Sequence, residues 1–163
     1  MSQFEFVTYR GKLPSAVSGD LAKHLEERGV PGAVLTIFRA VESPYIASCA
    51  GMGYRIKGLV VGFSREDDEI CVDLETGRVL LLASWSPTSP LQVNRDIFSF
   101  VKSLVELQDM LPLYGRERDL DDAEAAEMKI RAQLERIDPL SIEDLNGFWS
   151  AFLDDVGVGD YPG

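Results

Sequence analysis

A chain of 163 residues, 45% apolar and 26% charged, has the composition of a globular protein and can bury roughly 70% of its unfolded surface. Disordered, collagen-like and disulfide-scaffold classes are excluded. Sixteen Lys and Arg against 27 Asp and Glu leave a formal charge of −11, which repels nucleic acid and anionic membranes and suits a basic or neutral partner.

Met1 to Arg10 has neither a basic head nor an apolar run. No window reaches the about 18 consecutive apolar residues of a spanning helix, so secretion and membrane insertion are not expected. From Ser15 to Arg28 the apolar residues Val17, Leu21 and Leu25 recur every fourth position before Gly29 and Pro31. This spacing predicts an amphipathic first helix with a glycine stop. Its His24, the one histidine of the chain, is expected solvated or half-buried and receives no catalytic role.

Ala33 to Arg39 is short and β-branched, bounded by Pro31-Gly32 and by the polar turn Glu42-Ser43-Pro44; it predicts a strand or extended segment. Gly51-Met52-Gly53 predicts a turn, since the third glycine of a phosphate-binding loop is missing. Three antiparallel strands in meander order follow, Tyr54 to Phe63, Glu69 to Leu74 and Arg78 to Ala83, separated by turn chemistry at Ser64 to Asp68 and at Glu75-Thr76-Gly77. Leu59-Val60-Val61 and Val79-Leu80-Leu81-Leu82 are unbroken apolar runs, so both faces of this sheet must be covered, in part by helices.

Three helical patterns can supply the cover. Asn94 is an expected N-cap, with Asp96 in the first turn and a stripe of Ile97, Phe98, Val101, Leu104 and Val105 running towards Pro112. Asp119 to Arg136 carries a narrower stripe, Ala123, Ala126, Ile130, Leu134 and Ile137, with Asp119, Asp121 and Asp122 at its positive end. Ser141 and Asp144 resemble a capping box ahead of Leu145, Phe148, Trp149, Phe152 and Leu153. The order helix, strands, helices implies an α+β fold: a central antiparallel sheet with flanking helices and a helical C-terminal third. From Arg116 onward thirteen acids oppose five bases, but so short a segment cannot form an independent core, and a single domain over 1–163 is expected.

Recognisable catalytic equipment is missing. Cys49 and Cys71 lie in apolar or strand-like stretches and are expected reduced, as in the cytoplasm. No metal-ligand spacing, nucleophile motif or Walker-type loop occurs, so no catalytic residue, metal or cofactor is assigned. The candidates are contact residues. Glu66, Asp67, Asp68 and Glu69 crowd four like charges into a hairpin loop, either a solubilising turn or a contact for Arg or Lys on a partner. Asp121, Asp122, Asp154 and Asp155 are weaker candidates of the same type. Trp149, with Phe148 and Phe152, belongs on a core stripe. Trp85 sits in a loop flanked by Ser84, Ser86 and Pro87, as a packed lid or an interface anchor.

The ordered signals also match a known pattern. A leucine-bearing helix runs into Gly29-Val30-Pro31; a Leu-Val-Val-Gly strand follows at Leu59 to Gly62, then a hairpin at Ile70 to Val79. An Asn94-led helix ends in Phe100-Val101-Lys102-Ser103-Leu104, and Ile137-Asp138-Pro139 precedes Phe148-Trp149. From about Leu21 to Val156 the chain resembles the SUKH superfamily, specifically its fourth branch of immunity proteins. Arg95 stands where many members have a small polar residue, and the acidic Ser64 to Glu69 turn is this chain's own. The resemblance implies a cytoplasmic, non-enzymatic protein, encoded beside a polymorphic toxin, that binds the toxin domain and blocks it. Toxins paired with the superfamily are often nucleases or nucleic-acid deaminases. The alternative is a scaffold or regulatory binding module of the same fold, and the oligomeric state is left open.

Overall fold

Continuous apolar strands need cover on both sides, and here they form the interior of a curled antiparallel sheet. The computed structural model describes residues 5–51, 54–65, 67–83, 90–115 and 119–159. The sheet takes β3 (Ala33–Val34), β4 (Phe38–Gly51), β5 (Tyr54–Phe63), β6 (Glu69–Asp73), β7 (Val79–Leu82) and β8 (Leu91–Asn94) in simple chain order. A small ribbon of β1 (Phe6–Val7) and β2 (Val30–Pro31) stands beside it. Leu59, Val60 and Val61 are all fully buried, which requires cover on both faces because neighbouring strand residues point to opposite sides. The fold is α+β, as its element order implied.

Helix α1 (Gly19–Glu27) precedes the sheet; α2 (Ile97–Asp109), α3 (Leu120–Ile137), a 3-10 turn at Pro139–Ile142 and α4 (Phe148–Gly157) follow it. One hydrophobic cluster joins Leu25 of α1, Leu59 and Ile70 of the sheet, Phe100 and Leu104 of α2, Ile130 of α3 and Trp149 of α4. Phe38 meets Phe100 edge-on with ring centres 5.3 Å apart, seating α2 on the sheet. Gly62 permits that approach: a Cβ there would lie 2.3 Å from the Phe38 ring. The α3 stripe of Ala123, Ala126, Ile130, Leu134 and Ile137 is buried as its spacing predicts.

Several expectations are corrected. Glu42-Ser43-Pro44 is no turn; β4 runs through it with a register shift between Ala40 and Tyr45. Asn94 does not cap α2 but ends β8, while the Asp96 carboxylate accepts from the Ser99 N–H at 2.7 Å and caps the helix. Phe98 leaves the core and is 48% exposed, because α2 buries Ile97, Phe100, Val101, Leu104 and Leu107 instead, a stripe one position round from Phe98. Ser141 caps no helix. Its hydroxyl donates to the Asp138 carbonyl at 2.7 Å within the 3-10 turn, and α4 starts only after Gly147. Leu145 is consequently solvent-facing. His24 is buried at 7% exposure, with the edge of its ring against Phe98.

Candidate partner-binding site

The β5–β6 connection is built to hold acid outward. Its backbone closes through the Ser64 N–H donating to the Asp68 carbonyl at 2.9 Å and the Asp67 N–H donating to the Ser64 carbonyl at 3.0 Å. Asp67 sits at φ 61°, a left-handed conformation that Asp and Asn tolerate better than most side chains. Its carboxylate accepts from Arg39 of β4 at 2.7 Å, and the same guanidinium lies 4.8 Å over the Phe63 ring. Glu69 accepts from the Tyr45 hydroxyl at 2.5 Å, a contact reaching from β4 across β5 to β6. Desolvation first, then the hydrogen bond to Glu69 and its charge, push the Tyr45 hydroxyl up to about 12. Side chains from β4 therefore brace the turn. The Asp67–Arg39 pair is exposed on both sides, so it contributes less than about 1 kcal/mol to stability.

Behind the turn lies a groove of about 430 Å³. Ser64, Arg65 and Asp68 form one wall, Asn146, Gly147 and Ala151 the other, and Ile37, Leu81, Leu91, Phe148 and Phe152 supply apolar surface. Arg65 bridges the walls by pairing with Asp155 at 2.5 Å. The turn and α4, far apart in sequence, thus frame one concavity.

Of the residues singled out in the sequence, Asp67, Asp68 and Glu69 stand together at this place, with Asp155 opposite and Asp154 exposed beside it. Asp121 and Asp122 begin α3 instead. Asp122 is occupied in a reciprocal capping box with Asp119, accepting from the Asp119 N–H at 3.2 Å and donating its own N–H at 2.8 Å. Asp121 is exposed. Glu66 and Trp85 lie outside the described residues. Sequence reasoning does not find Arg39, Tyr45, Ala151 or the 145–147 segment; their proximity arises from strand pairing and from where α4 begins, neither of which has a local signature.

Asn94, Asp138 and Trp149 converge elsewhere. Trp149 Nε1–H donates to Asn94 Oδ1 at 2.9 Å, and Asn94 Nδ2–H donates to Asp138 Oδ2 at 3.0 Å. Asp138 also accepts from the Arg95 N–H at 2.8 Å and, through its other oxygen, from the Leu140 N–H at 3.1 Å. The end of β8, the start of the 3-10 turn and α4 are locked by one buried polar chain. The sequence model described as SUKH-4 immunity protein matches residues 11–155. The chain belongs to the SUKH-4 immunity protein family. Membership supports an immunity function, implies a protein partner in general, and places the chain among proteins that are generally non-enzymatic. No curated protein and no solved structure matches it. No helix among the described residues is long and apolar enough to cross a membrane. In this SUKH-4 member the Asn94–Asp138–Trp149 chain ties β8, the 3-10 turn and α4 together, and the acidic turn stands apart from it at the surface.

Proposed function

We propose that this SUKH-4 member is a cytoplasmic, non-catalytic inhibitor that binds a cognate toxin domain and occludes its active site. The toxin class that suits it is a nuclease or nucleic-acid deaminase, because such an enzyme carries a basic groove for its substrate. The observation that carries this reading is the acidic turn on a chain of charge −11, in which Arg39 braces the exposed Asp67, Tyr45 braces Glu69, and Asp68 stands half-buried between them. Acid held in place by Arg39 and Tyr45 loses little side-chain freedom on docking. Long-range attraction to a basic groove accelerates encounter. The thirteen acids from Arg116 onward add to the same field.

Co-expression tests the proposal. A toxin domain encoded beside this chain should arrest growth alone and permit growth when the chain is present. Continued arrest, with both proteins soluble, contradicts it. A scaffold role would appear as stable binding to another protein with no effect on the toxin.

A further inference from the structure

We propose that the groove between the Ser64 to Asp68 turn and α4 is the anchor site of the interface, receiving one large apolar side chain of the toxin domain that is flanked by Lys or Arg. This rests on the immunity reading and specifies the surface that carries it. The groove's volume of about 430 Å³ falls within the range of real binding cavities. Its apolar surface comes from Ile37, Leu81, Leu91, Phe148 and Phe152, the surroundings in which interface hot spots are found. Leu145, 79% exposed, immediately precedes the lining residues Asn146 and Gly147 in the chain.

Charge selects the occupant. The two arginines nearby already face aspartates, Arg65 against Asp155 and Arg39 against Asp67. Asp68 lines the groove, Glu69 follows it, and Asp144 packs against the lining residue Gly147. Asp154 and Asp155 lie on the helix face of Ala151 by their three- and four-residue spacing. An apolar side chain with cationic neighbours meets both the floor and the rim, whereas an acidic segment would meet like charge. The acidic turn alone would give a diffuse steering field; the groove gives that field a position at which to stop.

Ala151 is exposed and lines the groove, so Ala151→Trp fills the cavity from a surface helix position while leaving Asp67, Asp68 and Glu69 untouched. Binding of the purified toxin domain encoded beside this chain is measured by calorimetry for wild type, Ala151→Trp and Ala151→Ser, with melting curves for each. The expected result is a dissociation constant at least about thirtyfold weaker for Ala151→Trp, the scale of one hot spot, an unchanged value for Ala151→Ser, and equal melting midpoints. Equal affinity of wild type and Ala151→Trp overturns the anchor site and leaves the immunity reading intact. No binding by wild type overturns both. A small apolar molecule recovered at one-to-one stoichiometry by mass spectrometry of the purified protein overturns the anchor site as well, because the groove is then a ligand pocket.

Discussion

Asn94 connects more of this molecule than a strand-end residue ordinarily does. Its amide accepts from Trp149 and donates to Asp138, and all three residues are fully buried. Asn94→Ala removes the acceptor of the buried indole N–H, while Asp138 keeps the Arg95 N–H, and should cost about 1–3 kcal/mol. Trp149→Ala also opens a cavity among Phe148 and Phe152, whose rings lie 5.0 and 6.0 Å from the indole, and should cost about 3–5 kcal/mol. Phe98→Ala, on a half-exposed ring, should cost less than either. Urea titration of the three variants orders them. His24 supplies a pH test. Burial lowers its pKa in the folded state, and Arg28 acts in the same direction against a hydrogen bond involving Gly29. The unfolded chain therefore takes up a proton near pH 6.5 before the folded chain does, so stability is full above that pH and falls as the pH drops towards the folded value. His24→Gln should flatten the slope between about pH 5 and 7, where no other side chain has its ordinary pKa, and should leave protection against the toxin intact. Loss of protection in folded His24→Gln would assign the imidazole a functional role.

At the scale of elements, strands with unbroken apolar runs are legible in the sequence, and those tied to proline are not. The predicted Tyr54 to Phe63 strand has the observed bounds of β5, because its apolar run is flanked by turn residues. The long β4 is hidden: Pro44 lacks an amide donor and signals a break, yet it lies in the register shift of β4, where no ladder bond is required of it. β8 is hidden for a related reason, since Asn94 carries a strong capping signature while Asp96 holds the cap two residues later. The turn at Ser64 to Asp68 is legible as a turn; its bracing by Arg39 and Tyr45 is not, since contacts 28 and 24 residues apart leave no trace in local pattern. Gly29, predicted as the stop of α1, has φ +75°, and a Cβ on it would fall 1.8 Å from the Val7 carbonyl oxygen. Gly29→Ala should consequently separate β1 from β2 and lower the melting midpoint by several degrees, about 4–8 °C per kcal/mol for a domain near 100 residues and less for a longer one. An unchanged midpoint would show that the ribbon contributes nothing.

Across the whole molecule, net charge and one braced turn act together. Asp67→Asn with Asp68→Asn removes two negative charges while keeping side-chain shape, and Asn suits the left-handed position of residue 67. The pair should slow association with the toxin domain and flatten its dependence on salt between about 0.05 and 0.5 M. Stability should change by less than about 1 kcal/mol, since the Arg39 pair it disrupts is exposed. Stopped-flow association at several salt concentrations checks this, and rates indifferent to both salt and substitution would show that charge does not steer docking. Inhibition by occlusion is tested most directly by titrating the toxin domain's catalytic activity with the purified chain at several substrate concentrations. Activity should be lost at one-to-one stoichiometry and recover competitively as substrate rises. Full activity in the presence of saturating, bound protein would contradict it.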